Sequence, residues 1–201
     1  MKLLCYADAH GIDNLNSIIL KTKLKYDYIV FAGDLGENIV NWKFVRNLPM
    51  INIYGNHDDV EKFKTLPFWL PDYEMKTFGG LKFLGINGNF AKKIKKPHHK
   101  IASDVYYMIM EKALNPDVVV SHEPPYGSCD FIKRKFHGGS TMLASLLLKL
   151  QPKLWVCGHL YSDRERVSKI NNTTIINTNK YPIIVDISSG GIKSVKPILN
   201  K

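Results

Sequence analysis

Met50-Ile-Asn-Ile-Tyr-Gly-Asn-His-Asp58 joins an apolar run, typical of a buried strand, to residues that carry chemistry. A glycine ends the run, and a carboxamide, an imidazole and a carboxylate follow directly. Apolar runs elsewhere in the chain end in the same way, at Asp8-Ala9-His10, Gly33-Asp34, Ser121-His122 and Gly158-His159. Ligands of open α/β folds bind outside the carboxyl ends of the strands. We therefore expect these polar residues to converge at one place.

The residue types at these strand ends indicate a metal site. Carboxylate, carboxamide and imidazole together suit two divalent cations rather than a thiolate-seeking ion. Two cations about 3.5–4 Å apart need a bridging anion, and they supply hydroxide near neutral pH by lowering the pKa of bound water. The pattern predicts metal-assisted phosphoester chemistry.

Alternating strands and helices predict an α/β fold with a largely parallel sheet in the first part of the chain. A hairpin is expected around Phe78-Gly79-Gly80, and an antiparallel meander after the last motif. The predicted helices are Asp13–Leu24, with Asp13 as its cap, and Val40–Leu48, Val60–Thr65, Ser103–Leu114 and Gly139–Leu150. The predicted meander strands are Val167–Ile170, Thr173–Asn177, Ile183–Ile187 and Ile192–Ile198.

Composition narrows the class of protein. A chain of 201 residues, 45% hydrophobic, can form one sizeable core, and we expect a single domain over residues 1–201. The absence of a signal-peptide pattern and of a long apolar run predicts a cytoplasmic protein without membrane association. Cys5 and Cys157 are expected to be buried thiols, and Cys129 lies in a loop where a catalytic thiol is the less favoured interpretation.

The net charge of +10 is partly clustered, in Lys92–Lys100 and in Lys133-Arg134-Lys135. Such patches favour anionic partners such as nucleotides, nucleic acid or phosphorylated substrates. A solvated lysine-rich loop explains the first cluster equally well. His98 and His99 are expected to belong to that loop rather than to the metal site.

The ordered motifs resemble the signature of the calcineurin-like metallophosphoesterases. The likeness rests on the five motifs quoted above, with the last extended to Gly158-His159-Leu160-Tyr161, and it covers nearly the whole chain. Two more stretches, His122–Gly127 and His137–Ser140, look like a predicted-phosphoesterase branch of the family. The resemblance implies a four-layer α/β/β/α sandwich of two mixed β-sheets flanked by helices.

The resemblance also assigns roles by position. Asp8 and His10 would bind the first metal, and Asp34 would bridge both metals. The second metal would be bound by Asn56, His122 and His159. His57 would not be a ligand but an acid or charge stabiliser at the leaving group, oriented by Asp58. The expected cofactors are two divalent metal ions. Mn²⁺ is the favoured ion, and Fe, Zn²⁺ or Ni²⁺ are the alternatives.

Other positions leave alternatives open. Asp58 could instead cap the helix that follows it. His137, with the glycines after it, could hold the substrate phosphate on free N–H groups, or the segment could be a turn with Ser140 as N-cap. Asn89 could line the substrate pocket, or it could be part of a plain turn.

Tyr161 departs from the family pattern, which has a second histidine there as a ligand of the first metal. A free phenol has a pKa of about 10 and is a poor ligand for divalent ions. Water could replace the imidazole and leave a weaker first metal, which we favour. Tyr161 could ligate as phenolate, with Fe³⁺, or the first site could be vestigial. Ser162 or Asp163 could also supply a ligand.

Two classes of function follow from these residues. The favoured one is a metal-dependent phosphodiesterase or phosphomonoesterase on nucleotide-like or small substrates. The alternative is a phosphoesterase-fold binding or scaffold protein with a degraded first metal site. Nucleic acid is a less favoured partner, because no added nucleic-acid-binding motif is present. The oligomeric state is open, with a homodimer as one option.

Overall fold

The computed structural model describes residues 1–22, 25–133, 135–162 and 165–198. The helices are α1 (Ile12–Lys21), α2 (Trp42–Arg46), α3 (Val60–Lys64), α4 (Ala102–Glu111) and α5 (Thr141–Leu150). The strands are β1 (Lys2–Tyr6), β2 (Tyr28–Ala32), β3 (Met50–Ile53), β4 (Met75–Phe78), β5 (Leu81–Ile86), β6 (Asn89–Phe90), β7 (His99–Lys100), β8 (Val118–Ser121), β9 (Phe131–Ile132), β10 (Phe136–His137), β11 (Leu154–Cys157), β12 (Val167–Ile170), β13 (Thr173–Asn177), β14 (Ile183–Ser188) and β15 (Gly191–Pro197).

Two large mixed sheets form the centre of the fold. The first has the order β15-β14-β1-β2-β3, and the second has the order β12-β13-β11-β8-β5-β4. The strands β1, β2 and β3 are parallel, as are β5, β8, β11 and β13, while the antiparallel strands lie toward the edges. Parallel strands place their carboxyl ends at one edge of each sheet, where the motif residues follow.

Branched aliphatic side chains from both sheets meet in one buried cluster, which includes Ile51, Val120 and Val156. Each such side chain contributes roughly 1.5–3 kcal/mol when removed from water. The outer face of the first sheet buries residues of α1, α2 and α3, and that of the second buries residues of α4 and α5. The predicted layering of helices, two mixed sheets and helices is therefore confirmed.

The predicted C-terminal meander is wrong. β12 and β13 extend the second sheet, whereas β14 and β15 extend the first. The segment between them crosses from one sheet to the other. Its Thr178 N–H donates to the carbonyl of Cys157 at 2.8 Å, and its Lys180 N–H donates to that of Ala7 at 3.2 Å. This crossing ties the carboxyl ends of β11 and β1 together.

Several local predictions also change. α1 begins after Gly11, and Asp13 lies in its first turn rather than at its cap. The predicted end of that helix, at Leu24, lies outside the described residues. The stretch Glu123–Phe136, which the sequence predicts as a long loop, includes β9 and the start of β10, and these two strands form a short hairpin before α5. Within the described ranges, no helix combines the length and apolar character needed to cross a membrane.

Candidate metal centre

Two groups of potential ligands lie at the carboxyl ends of the central strands. Ligand atoms of Asp8, His10 and Asp34 lie within 4.8 Å of one another, and the same holds for Asp34, His122 and His159. Asp34 belongs to both groups. A single carboxylate shared by two ligand sets is the arrangement that a pair of cations requires.

The second group points several polar atoms at one imidazole nitrogen. Nε2 of His122 lies 3.1 Å from Oδ1 of Asn56, 3.2 Å from Nδ1 of His159 and 3.4 Å from Oδ2 of Asp34. The other nitrogen, Nδ1, lies 2.8 Å from the carbonyl oxygen of Ala32. Because only a protonated nitrogen can donate to that carbonyl, Nε2 is left as the ligand atom. This donor set of oxygen and imidazole nitrogen fits a divalent cation such as Mn²⁺, Fe²⁺ or Zn²⁺.

Electrostatics couple the two buried partners of this group. Burial by itself would raise the pKa of Asp34, but the hydrogen bond and charge of His122 outweigh it and lower that pKa to about 2. Burial would lower the pKa of His122, yet its contact with Asp34 and the charge of Asp8 raise it to about 9. Without metal, the protonated imidazole thus balances the carboxylate that a cation would otherwise neutralise.

The pKa values of His159 and Asp8 shift in the directions that favour their neutral forms. Burial, followed by the charge of His122, lowers the pKa of His159 to about 4. Burial raises the pKa of Asp8 to about 6, while the charge of His122 and the backbone N–H of His159 act against the rise. The neutral imidazole of His159 is the form that ligates metals.

The backbone at these ligands is unusual. Asp8, His10, Asp34 and His159 have φ values of 56°, 46°, 62° and 64°, in the left-handed region that non-glycine residues seldom adopt. Such conformations cost on the order of 1–3 kcal/mol each and persist where the surrounding structure holds them. Here the loops that follow β1 and β2 are held together by hydrogen bonds from Asp8 N–H to the Gly33 carbonyl and from His10 N–H to the Asp34 carbonyl.

Two glycines allow the ligands to approach. A Cβ at Gly55 would lie 2.7 Å from Cε1 of His122 and would clash with Oδ1 of Asp34. A Cβ at Gly158 would collide with Oδ2 of Asp8 and lie 2.5 Å from Cβ of Ala7. Any side chain at either position would push a ligand of the centre away.

His57 is exposed beside the first group. Its ring centroid lies 5.4 Å from that of His10, and its backbone N–H donates to Oδ1 of Asp34 at 2.8 Å. The backbone contact fixes the residue beside the shared carboxylate, while the ring remains available to a substrate.

The carboxylate of Asp58 accepts hydrogen bonds from backbone N–H groups rather than from the imidazole of His57. Its Oδ2 accepts from the N–H groups of Asp34 and Gly55, each at 2.8 Å, and its Oδ1 accepts from that of Gly36 at 2.9 Å. These are the hydrogen bonds of its carboxylate among the described residues, so the predicted orientation of His57 by Asp58 is not seen. The helix after it is capped by Asp59, whose side chain accepts from Lys62 N–H. Asp58 therefore holds together the loops that follow β2 and β3.

His137 lies in an ordered hairpin. Its Nδ1 is 2.6 Å from Oδ1 of the buried Asp130, and its ring contacts those of Phe131 and Tyr126, with centroids 4.1 Å and 5.3 Å away.

The N–H groups of Gly138, Gly139 and Ser140, which could have held phosphate, are already used. Those of Gly138 and Gly139 donate to the carbonyl and Oδ2 of Asp130, and that of Ser140 donates to the carbonyl of Pro124. The idea of a free N–H cradle is thus wrong, and Ser140 is the N-cap of α5.

Asn89 and His98 lie on neighbouring backbone segments, where β6 pairs in parallel with β7. The buried Oδ1 of Asn89 has no hydrogen-bond partner among the described residues, and Asn89 N–H donates to the carbonyl of His98. His98 is only 9% exposed, and burial, followed by the charges of His99 and Lys96, lowers its pKa, while the charge of Asp34 acts against this shift.

The side chain of Tyr161 lies at the surface beside Tyr181. This side chain is 52% exposed, and its hydroxyl lies 3.5 Å from that of Tyr181. Ser162 is buried and donates to the carbonyl of Glu165, while Asp163 lies outside the described residues.

The three cysteines are free and buried. Burial raises the pKa of the Cys129 thiol, which makes it a poor nucleophile.

Comparisons with known proteins identify the class. Residues 1–163 match the family model described as calcineurin-like phosphoesterase, so the chain belongs to this family. A search of curated protein sequences gave no match.

Solved structures share the fold at low sequence identity. A protein of Thermus thermophilus is 13% identical with a TM-score of 0.67, over 98% of each chain. An archaeal phosphodiesterase is 15% identical with a TM-score of 0.54, over the full length of both chains. An anchor protein of the inner membrane complex of Plasmodium is 13% identical with a TM-score of 0.54, over all of this chain and 89% of the other. At these identities the likeness concerns the fold.

Proposed function

We propose that the protein is a metal-dependent phosphoester hydrolase in which two cations share Asp34. The observation that carries this proposal is the pair of ligand groups that meet at this residue. The first cation would be held by Asp8, His10 and Asp34, and the second by Asp34, Asn56, His122 and His159. When bound, such a pair supplies Lewis acidity toward the phosphoryl oxygens and activates water near neutral pH.

The protein's own residues have distinct tasks in this proposal. Asp58 holds the loops of Asp34 and Gly55 together, so that the ligands keep their positions when substrate binds. His57 donates a proton to, or stabilises charge on, the leaving oxygen from its exposed position beside the shared carboxylate. The net charge of +10 attracts anionic substrates. We propose small phosphodiesters, phosphomonoesters or nucleotides as substrates.

The proposal predicts hydrolysis of bis(p-nitrophenyl) phosphate by purified protein with added Mn²⁺. The rate is measured by release of p-nitrophenol, and metal content is measured by elemental analysis of the same sample. Chelation of the metal should abolish turnover, and restored Mn²⁺ should recover it. Protein saturated with Mn²⁺, Fe²⁺, Zn²⁺ or Ni²⁺ that turned over neither a diester nor a monoester would contradict the proposal.

A second candidate function is binding without turnover. Tyr161 favours it, because the imidazole expected at the first metal is replaced by a phenol whose hydroxyl lies beside Tyr181. The Plasmodium anchor protein shares the same fold. The retention of His57 beside Asp34 favours the enzyme, since a scaffold has no use for an acid that does not ligate metal.

Tyr161→His provides the test of the first site. If water occupies the ligand position, the new imidazole should tighten first-site Mn²⁺ binding by about tenfold or more, roughly 1.4 kcal/mol. Hydrolysis at limiting Mn²⁺ should rise with it. Calorimetric titration of metal and the rate of diester hydrolysis measure the two effects.

Tyr161→Phe is the matched control, because it removes only the hydroxyl. Water ligation predicts little change in this variant, whereas phenolate ligation predicts loss of metal and of activity. A Tyr161→His variant with unchanged metal affinity and unchanged rate would contradict the weak-first-metal interpretation.

A further inference from the structure

A cavity of about 290 Å³ adjoins the first ligand group and is not used by the proposed chemistry. It is lined by Tyr6, Asp8, His10, Asn14, Ser17 and Lys180. Asp8 and His10 form the side nearest the metal centre. The remaining wall comes from the end of β1, from α1 and from the segment that crosses between the sheets.

A largely buried tyrosine lines this cavity without a polar partner for its hydroxyl. Tyr6 is only 4% exposed, and its hydroxyl makes no hydrogen bond within the described residues. Its ring is fixed by an edge contact with Phe31, with centroids 6.2 Å apart. A hydroxyl in such a position is costly unless water or a bound group in the cavity satisfies it.

Two more donors line the same cavity. Within the described residues, the Ser17 hydroxyl has no hydrogen-bond partner and the Lys180 ammonium has no ion pair. Asn14, in contrast, uses its amide N–H₂ on the carbonyl of Ala9 at 2.7 Å. Phenol, serine hydroxyl and ammonium are all donors, and a set of donors that includes a cation suits an oxyanion.

Lys180 is held in place by its backbone. Its N–H donates to the carbonyl of Ala7 at 3.2 Å, and it adopts a left-handed φ of 56°. The preceding Asn179 forms a parallel bridge with Ala7, directly before Asp8. The lysine is thus built into the edge of the metal centre rather than carried on a free loop.

We propose that this cavity is a subsite for a second phosphoryl group of the substrate, bound by Tyr6, Ser17 and Lys180 beside the phosphoryl group at the metal centre. The inference rests on the proposed function and narrows its substrate class to compounds with two neighbouring phosphates. The volume of the cavity lies at the lower limit of ordinary ligand pockets, about 300 Å³. The cavity therefore accommodates one phosphoryl group and not a whole nucleotide.

The test compares two ligands that share a nucleoside and differ in the second phosphate. AMP and the α,β-methylene analogue of ADP are titrated calorimetrically into the Mn²⁺-loaded protein. The analogue should bind about tenfold tighter, as expected for charge-assisted hydrogen bonds to one added phosphate. Lys180→Met and Tyr6→Phe should each bring the affinity ratio close to one. Lys169→Met, an exposed lysine on β12, should leave the ratio unchanged.

The outcomes separate the subsite from the proposed function. Equal affinities in the wild-type protein, or a ratio that survives both Lys180→Met and Tyr6→Phe, would overturn the subsite even if diester hydrolysis is found. A ratio that depends on both residues supports the subsite even if no substrate is turned over. Circular dichroism of each variant confirms that it is folded.

Discussion

Asp34→Asn is expected to abolish Mn²⁺-dependent hydrolysis, lowering kcat by about 10³ or more. The charge shared by two cations is worth several kcal/mol, and each 1.36 kcal/mol is a factor of about ten in rate. Asn keeps the size of the side chain and an oxygen for the His57 N–H, so the loss isolates the charge. The measurement is kcat for bis(p-nitrophenyl) phosphate together with bound metal per chain.

Asp104→Asn is the matched control for this prediction. Asp104 is exposed in the first turn of α4, which packs on the outer face of the second sheet. This variant should retain both metals and full activity. An Asp34→Asn protein that is folded, binds two Mn²⁺ ions and hydrolyses diester within tenfold of the wild-type rate would refute a shared carboxylate.

His57→Ala is expected to lower hydrolysis by about 10²–10⁴ while both metals stay bound. This range is typical of the loss of a general acid. The side chain of His57 belongs to neither ligand group, and its contact with Asp34 is made by backbone N–H, which the substitution keeps. Elemental analysis should therefore show unchanged metal content alongside the lost rate.

The leaving group provides an internal check on His57. Phenolate is a more basic leaving group than p-nitrophenolate and needs more help from an acid. The loss in His57→Ala should accordingly be larger for a phenyl ester than for a p-nitrophenyl ester. Equal losses for both esters would instead indicate that His57 stabilises charge on the phosphoryl group, and loss of metal would show that it supports a ligand.

The grouping of the ligand residues that directly follow strands could be predicted from the sequence. Each ligand motif follows an apolar run, and parallel strands bring such residues to one edge whatever their separation in sequence. Asp8, Asp34 and His159 could be grouped on this basis alone. The same reasoning locates the buried parallel strands, through their continuous branched side chains, but it does not show how the C-terminal strands divide between the two sheets.

Contacts between loops could not be predicted. The three N–H groups that meet at Asp58 come from the loops after β2 and β3, and nothing in the sequence shows that these loops touch. The hydrogen bonds that Asp130 accepts from the N–H groups before α5 could not be predicted for the same reason. The position of Lys180 beside the metal centre also depends on tertiary structure, because the sequence of the crossing segment is typical of an ordinary turn between two strands.

The pairing of β1 with β14 has a consequence for biosynthesis. Lys2 lies opposite Asp186, so the strand that precedes Asp8 is paired on one side by residues made about 180 positions later. At about 5–20 residues per second, the ribosome needs roughly 10–40 s to supply that partner after β1 has been made. The nascent chain can pair β1, β2 and β3 early, whereas His159 and β14 are synthesised well after them. In the proposed function, binding of the second cation would therefore follow the synthesis of His159.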